Sequence, residues 1–203
     1  MTKPKKRLSL DIGRFSKDQL LYVKSLVQSP VEIGQVTPSS RFLADGMVAK
    51  LDLANARAVV EFGPGTGSVT RAILDRCGKQ TTFFAMETNA GMVTILQRRF
   101  PNLEVVHDSA EHIGEHLKKF HLNEVDYIVS SLPFALLSPG LTERILTNAY
   151  QVLKPGGAFV TYQYLHARVF KSVFTSLRGT FNHINTSVVF RNLPPAFVFQ
   201  CAK

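Results

Sequence analysis

The chain has 203 residues, of which 45% are apolar, and a net charge of +9; these values fit one soluble domain with its own hydrophobic core. No run approaches the roughly 18 apolar residues of a membrane span, and the N-terminus lacks the apolar stretch of a secretory signal. The two cysteines, Cys77 and Cys201, have neither metal-ligand nor disulfide spacing, which favours the reducing cytoplasm.

The first predicted element is an amphipathic helix over residues 12–27, with basic side chains between its apolar positions and Pro30 beyond its end. Residues 1–30 carry +5 of the net charge, which favours an anionic partner, either a membrane surface or nucleic acid; a solubilising tail is the alternative. A helix that covers a catalytic core would show the same apolar stripe. We therefore divide the chain into a basic N-terminal segment, residues 1–30, and a domain of residues 31–203.

The rest of the domain alternates between strand and helix patterns. A helix over residues 40–51, N-capped by Ser39 or Ser40, comes first. The predicted strands are 58–62, 81–86, 103–107, 125–130 and 157–163, and the predicted helices are 68–77, 89–99, 110–119, 139–152 and 165–177. This alternation predicts a parallel, doubly wound α/β sheet, which two β-rich segments, 186–190 and 196–201, close as a hairpin.

The first strand leads into a glycine-rich turn, residues 61–67, with the sequence Glu-Phe-Gly-Pro-Gly-Thr-Gly. Glycines at such a turn let the backbone bend sharply and approach a ligand closely. The dinucleotide fingerprint would need a third glycine where Ser68 stands, and no Gly-Lys-Ser/Thr ending of a P-loop is present. An ordinary strand-to-helix turn is the remaining alternative.

The pattern Glu-x-Gly-x-Gly-x-Gly resembles the first motif of class I S-adenosylmethionine (SAM) methyltransferases. The resemblance implies a Rossmann-like fold whose seven-stranded, mostly parallel sheet has an antiparallel last strand, here with an added N-terminal amphipathic helix. It also implies that Glu61 faces the cationic, amino-acid end of SAM. Gly63, Gly65 and Gly67 would then admit its ribose and methionine.

Two later strand ends supply further candidates for the cofactor site. Glu87 follows the second strand about twenty residues after the glycine turn, a spacing suited to a carboxylate that accepts from both ribose hydroxyls. The family resemblance assigns adenine recognition to Asp108 and the Ser109 amide, although Asp108 would equally N-cap the following helix. We include the adjoining Thr88 and Ala110 in the predicted cofactor site.

The fourth strand ends in Ser131-Leu132-Pro133-Phe134, which resembles the Asn-Leu-Pro-Tyr motif of enzymes that methylate the adenine amine. In that family the polar side chain, here Ser131, and a following carbonyl, taken as that of Leu132, bind the target amine beside an aromatic ring, here Phe134. A serine offers fewer hydrogen bonds than an amide, so recognition of a flat base is less well supported. Residues 37–45 resemble a motif of rRNA adenine dimethyltransferases that lies against the SAM methionine, which adds Thr37 and Ser40 to the predicted cofactor contacts. Ser131 is included among these contacts as well as in the amine site.

The basic leader, the glycine turn and the Ser-Ser-Leu-Pro-Phe segment together resemble bacterial phospholipid N-methyltransferases. The resemblance implies stepwise methylation of phosphatidylethanolamine toward phosphatidylcholine, with S-adenosylhomocysteine (SAH) as the second product. It implies an enzyme that binds phospholipid and an anionic membrane surface but no nucleic acid, and that attaches peripherally to the inner leaflet from the cytoplasm. We also expect a monomer in solution, although no feature of the sequence reports the oligomeric state. An rRNA or DNA adenine N6-methyltransferase and a non-catalytic membrane-binding module are the competing hypotheses.

Aromatic faces are expected beside the amine because they stabilise a developing positive charge. Phe134, Tyr162 and Tyr164 are the candidates. We expect the two tyrosines to point to opposite faces of their strand, so that only one of them, taken as Tyr164, reaches the pocket. No metal site and no dedicated general base are predicted. Five cations are candidates for binding a lipid phosphate: Lys24, Arg41, Arg168, Lys171 and Arg178.

Overall fold

The structure, a computed structural model, describes residues 38–164, 167–192 and 194–203. The predicted helix of residues 12–27, Lys24 and Thr37 lie outside the described residues. So do the side chains of residues 38–40 and 165–171, which include those of Ser40, Arg168 and Lys171. The described chain forms one unit, and none of its helices is long and apolar enough to cross a membrane.

Helices and strands alternate along this unit. The helices are α1 (Pro38–Val48), α2 (Ser68–Leu74), α3 (Ala90–Arg99), α4 (Ile113–Lys119, after a 3-10 turn, Ala110–His112), α5 (Pro139–Val152) and α6 (Ala167–Thr180). The strands are β1 (Ala58–Phe62), β2 (Thr82–Met86), β3 (Glu104–Val106), β4 (Val125–Ser130), β5 (Leu153–Tyr164), β6 (His183–Val189) and β7 (Ala196–Ala202). The helices and strands occur in the predicted order along the chain.

The seven strands form a single sheet in the order β3-β2-β1-β4-β5-β7-β6. Every pairing is parallel except those of β7, which runs antiparallel to β5 and β6. The predicted Rossmann-like methyltransferase sheet with an antiparallel last strand is confirmed. The strand order reverses between β1 and β4, and open α/β sheets bind ligands in the crevice at the carboxyl ends of strands beside such a reversal.

Helices cover both faces of the sheet. The face bearing Val60, Phe62 and Phe84 packs against α4, α5 and α6. The opposite face bearing Val59 packs against α1 and α2, and Ala85 packs against α3. Because β1 is buried along its whole length, any polar side chain it carries must lie inside the protein or at its carboxyl end.

Several element boundaries differ from the sequence prediction by a few residues, and two of these differences have a local cause. Helix α1 begins at Pro38, so neither Ser39 nor Ser40 is its N-cap; proline is favoured in a first helical turn because it lacks an N–H that would need a partner there. Strand β5 begins at Leu153, four residues before the predicted strand of residues 157–163, and takes in the sequence Lys-Pro-Gly-Gly of residues 154–157. The amide of Gly156 donates to the Lys203 carbonyl over 3.1 Å, so pairing with the chain end extends the strand through residues that look like a turn in the sequence.

Candidate active site

The carboxyl ends of four strands meet at one edge of the sheet. Three backbone hydrogen bonds continue the parallel pairing one residue beyond the strands. Gly63 N donates to Met86 O over 2.9 Å, Glu87 N to Val106 O over 3.0 Å, and Ser131 N to Phe62 O over 2.8 Å. The four segments that the sequence predicts to bind the cofactor and the substrate amine therefore begin side by side.

The three glycines of the turn have positive φ angles, 66° at Gly63, 54° at Gly65 and 87° at Gly67, which side chains rarely tolerate. Two of them are also in close contact with side chains. A Cβ on Gly63 would lie 2.7 Å from the Leu132 side chain, and one on Gly67 would lie 2.4 Å from the Phe100 ring. A Cβ on Gly65 would meet no atom within 4 Å, so the open space that a ligand would fill is at Gly65.

Glu61 projects from β1 beneath helix α2 and is completely buried. The Thr70 hydroxyl donates to its Oε2 over 2.6 Å, whereas its Oε1 has no hydrogen-bond partner among the described residues. Burial raises the pKa of this carboxyl to about 8, with a smaller upward contribution from the charge of Glu87 and an opposing one from Thr70. Glu61 is therefore protonated at neutral pH and keeps one buried oxygen without a partner.

Glu87 links the end of β2 to the glycine turn. Its Oε2 accepts from Gly65 N over 3.3 Å, and its Oε1 accepts from Asn89 N over 2.8 Å. The Asn89 side chain in turn caps α3 by accepting from the amides of Gly91 and Met92. The carboxylate is thus held at the turn with acceptor capacity remaining on both oxygens. Thr88, the next residue, is exposed.

Asp108 is bound by two histidines that the sequence analysis did not single out. His116 Nε2 lies 2.7 Å from Asp108 Oδ2, and His112 Nδ1 lies 3.0 Å from Oδ1. These hydrogen bonds, that of His116 first, lower the pKa of Asp108, and the same contact raises the pKa of His112. His116 is buried and its Nδ1 has no partner in the described chain. In the sequence, the two histidines stand four and eight residues after Asp108, a spacing that could have indicated these contacts.

The predicted N-cap role of Asp108 belongs instead to Ser109, whose side chain accepts from Glu111 N. Ser109 N donates to Asp108 Oδ1 over 2.7 Å, so the amide predicted to contact adenine already has an acceptor beside it. The Ala110 side chain is part of the buried core. Of these three residues, Asp108 is the one that carries a charged side chain at the carboxyl end of the sheet.

The loop after β4 packs directly on the glycine turn. Leu132 fills the space beside Gly63, and its carbonyl accepts from Phe134 N over 2.9 Å, which leaves one lone pair of that oxygen for another donor. Ser131 is half-buried. The expectation that the Phe134 ring stands open beside the amine needs correction: the ring is 5% exposed and lies 6.1 Å from Phe159 in the core.

Tyr162 and Tyr164 lie on the same face of β5, and their rings meet edge to face with centroids 5.3 Å apart. The prediction that they point to opposite faces was wrong, because side chains two residues apart on a strand share a face. Both are half-buried and pack against the cluster formed with α1 and α2. They stand on the side of the sheet that also holds Glu61.

No group of three or more histidine, cysteine, aspartate or glutamate side chains within residues 38–164, 167–192 and 194–203 is arranged to hold a metal ion. The ionisable groups at the carboxyl end of the sheet are the protonated, buried carboxyl of Glu61, the carboxylate of Glu87 at the glycine turn and the carboxylate of Asp108 bound by two histidines.

Comparison with known proteins gives this arrangement a class. Residues 59–157, which span the glycine turn, the Glu87 and Asp108 strand ends and the Ser131 loop, match the family model described as a methyltransferase domain. The solved structure of the N-methyltransferase NodS from Bradyrhizobium japonicum WM9 superposes with a TM-score of 0.65 over 82% of this chain and 97% of that one, at 14% identity. The protein is a class I SAM-dependent methyltransferase, and SAM is its cofactor.

Among curated proteins, the ornithine lipid N-methyltransferase of Singulisphaera acidiphila is 28% identical over 191 residues, which cover 91% of this chain and 96% of the relative. A ribosomal RNA small subunit methyltransferase of Arabidopsis thaliana is 33% identical over 113 residues. That match covers 56% of this chain and only 31% of the relative. Similarity along nearly the whole chain is thus to a lipid N-methyltransferase.

Proposed function

We propose that this enzyme transfers methyl groups to the amino headgroup of a membrane lipid, and that phosphatidylethanolamine and its methylated intermediates are the substrates, on the path to phosphatidylcholine. The observation that carries the proposal is the similarity over 91% of the chain to an ornithine lipid N-methyltransferase. That relative makes ornithine lipid the second candidate substrate. Both lipids present an amine at the membrane surface, so one pocket chemistry would serve either.

The residues at the sheet edge fit the cofactor. SAM supplies an activated methyl group on a cationic sulfonium, together with an amino-acid end, a ribose and an adenine. We place the amino-acid end at Glu61, whose buried Oε1 lacks a partner among the described residues, and the ribose at Glu87. The open space beside Gly65 would accept the part of SAM that joins its ribose to its methionine. The adenine amine is assigned to Asp108, which His112 and His116 hold in place.

The substrate amine is assigned to the loop that packs on the glycine turn. Ser131 and the free lone pair of the Leu132 carbonyl are the groups that orient it, because both lie beside the end of β1. Tyr164 supplies the aromatic face for a cationic amine, a role in which it replaces the buried Phe134. Holding amine and methyl donor in line at contact distance accounts for the main catalytic effect of such a site.

The role of Glu61 predicts a proton release on cofactor binding. Its pKa of about 8 means that the free enzyme holds a proton there at pH 6.5, and an ammonium against the carboxylate favours its loss. SAH binding at pH 6.5 should therefore release close to one proton, and affinity should rise by up to about tenfold per pH unit as pH increases toward 7. Calorimetry in two buffers of different ionisation enthalpy measures the release.

Glu61→Gln is the matched control for this linkage, because the amide keeps the shape and cannot titrate. It should bind SAH without proton release. Tight SAH binding by the unaltered protein with no proton release would remove Glu61 from the amino-acid end of the site.

Residues 1–28 are proposed to anchor the enzyme peripherally to the inner leaflet of the cytoplasmic membrane. Seven basic residues in the first thirty would each contribute roughly 1 kcal/mol near an anionic surface, less at high salt. Deletion of residues 1–28 should abolish sedimentation with anionic vesicles and activity on bilayer lipid, while SAH affinity is retained. Unchanged sedimentation of the truncated protein would contradict this anchoring role.

The proposal is tested by offering radiolabelled SAM with three acceptors in separate reactions. The first contains phosphatidylethanolamine vesicles doped with anionic lipid, the second contains vesicles of ornithine lipid, and the third contains undermodified rRNA. We expect label in phosphatidylethanolamine, resolved by chromatography into mono-, di- and trimethyl products. Label in RNA alone would favour the adenine N6-methyltransferase hypothesis, and label in ornithine lipid alone would move the substrate to that lipid.

A further inference from the structure

The last third of the chain contains no acidic residue. Glu143 is the last carboxylate side chain, and the 60 residues that follow contain seven lysines and arginines. These residues form the end of α5 and all of β5, α6, β6 and β7, and the three strands are those on the far side of β4 from the glycine turn. Two of the seven cations are paired with carboxylates that precede the segment, Arg144 with Glu111 and Lys154 with Asp126. A continuous segment of one sign produces a positive field that attracts anionic surfaces.

Part of this segment extends beyond the carboxyl ends of the other parallel strands, where the proposed cofactor site lies; we call this side of the sheet the cofactor edge. Ser130, the last residue of β4, pairs with Thr161 of β5, and β5 continues for three more residues to Tyr164. At about 3.3 Å per residue, the end of β5 stands about 10 Å beyond the end of β4. Tyr164 pairs with Ala196 of β7, and Ala196 pairs with Val189 of β6. The turn between β6 and β7 therefore lies at the same overhanging edge.

This turn exposes an aromatic ring next to cations. Phe190 is 78% exposed, and the Arg191 guanidinium stacks over the Phe42 ring of α1 at 4.0 Å. Arg41 of α1 is also exposed; its carboxylate neighbour Asp45 is 3.9 Å away and pairs more closely, at 2.8 Å, with Arg76. We call Arg41, Val188, Phe190 and Arg191 the turn surface. A large exposed apolar side chain flanked by arginines is typical of groups that enter a lipid interface.

We propose that the turn surface inserts into the headgroup region of a phospholipid bilayer, with Phe190 as its apolar anchor, and so turns the cofactor edge of the sheet toward the membrane. The inference rests on the proposed lipid substrate. The amine of a membrane lipid stays at the bilayer surface, so the edge that carries Ser131 and Glu87 must face that surface. Arg191 of the overhanging turn is the cation of the acid-free segment that the described structure shows on this edge. Lys154 and Lys203 lie at the amino ends of the parallel strands, on the opposite edge.

The experiment uses the absence of tryptophan from the sequence. In the full-length chain, Phe190→Trp introduces a single fluorescent reporter at the anchor. Adding vesicles of phosphatidylglycerol and phosphatidylcholine should shift its emission to the blue, and brominated acyl chains should quench it. Ile95→Trp is the matched control, because Ile95 is 45% exposed on α3. This helix packs on β2 and β3, at the other end of the strand order from β6. The emission of this control should change little under vesicle concentrations that sediment the protein.

A second pair of variants measures the contribution to binding. Phe190→Ala should weaken vesicle binding by about five- to tenfold, the smaller part of what full burial of a phenylalanine provides, with SAH affinity unchanged. Ile95→Ala should leave both unchanged. The inference would be overturned if the Phe190→Trp protein sediments with vesicles while its emission stays unshifted. It would also be overturned if the emission is already blue-shifted without vesicles and insensitive to bromine, since the chain itself would then cover the turn.

The two proposals fail separately. If lipids are methylated but the reporter in Phe190→Trp remains in water, the docking surface is wrong and the substrate assignment stands. If brominated lipid quenches this reporter but no lipid is methylated, the surface binds membranes and the substrate proposal is wrong. Emission that responds to rRNA and not to vesicles would overturn the docking surface in favour of nucleic acid.

Discussion

Glu87→Ala is expected to lower SAH affinity by at least about 100-fold. A carboxylate that accepts from two ribose hydroxyls makes two charge-assisted hydrogen bonds, and each contributes about 1.5–3 kcal/mol when its loss leaves a partner unsatisfied. The same substitution also removes the acceptor of Gly65 N at 3.3 Å and that of Asn89 N at 2.8 Å, which loosens the glycine turn that the cofactor must meet. Isothermal calorimetry with SAH measures the loss.

Two controls separate this effect from unfolding and from membrane binding. Glu87→Gln keeps one oxygen acceptor and should show an intermediate affinity. Glu87→Ala should sediment with anionic vesicles as the unaltered protein does, because Glu87 is half-buried against the glycine turn and is not part of the turn surface. Normal SAH affinity in Glu87→Ala would remove Glu87 from the ribose site.

The second large effect distinguishes two glycines of the same turn. Gly67→Ala should destabilise the fold by about 2–5 kcal/mol, because a non-glycine residue at a φ of 87° is strained and the new Cβ would lie 2.4 Å from the buried Phe100 ring. Gly65→Ala should cost only about 1 kcal/mol of stability, from its φ of 54°, since its Cβ would meet no atom within 4 Å. Urea denaturation measures both values.

The order reverses for the ligand. Gly65→Ala should lower SAH affinity by more than about tenfold, because its methyl group would enter the space assigned to the cofactor. Equal loss of stability in both variants would contradict the packing assigned to Gly67. Unchanged SAH affinity in Gly65→Ala would place the cofactor elsewhere along the turn.

Local signals were sufficient to predict the sheet and the glycine turn. Strands such as 58–62 are short apolar runs bounded by turn residues, and each is followed by a helix pattern, so topology rules leave few arrangements. The open space at Gly65 and the contact between Gly63 and Leu132 depend on how two distant loops pack, and no spacing in the sequence reports that. The predicted roles of the glycines in ligand approach were therefore uniform, whereas the structure separates them.

The side chains around the site were harder to predict because their directions depend on tertiary packing. Phe134 follows a proline turn, and a sequence does not specify whether its ring turns toward the crevice or toward Phe159 in the core. His112 lies in the 3-10 turn and His116 in α4, and the contact of both side chains with Asp108 depends on how this segment folds around the carboxylate. The tyrosine error was different in kind: strand periodicity was sufficient to place Tyr162 and Tyr164 on one face, and it was misapplied.

The strand register determines where residues of the acid-free C-terminal third lie relative to the site. In the sequence the last 60 residues are simply free of acidic side chains. The pairing of Val189 with Ala196 and of Ala196 with Tyr164 brings Phe190 and Arg191 to the cofactor edge. Membrane contact at this edge would explain why an exposed phenylalanine stands there rather than a polar turn residue.

Methylation of a lipid amine can be measured by mass spectrometry of lipids after reaction with SAM that carries a deuterated methyl group. Vesicles would contain phosphatidylethanolamine, ornithine lipid and an anionic lipid together. We expect one to three deuterated methyl groups in the headgroup fragment of phosphatidylethanolamine with the unaltered enzyme, and none with Glu87→Ala. Deuterium absent from every lipid amine, with SAH binding intact, would contradict the proposed methylation of a lipid amine.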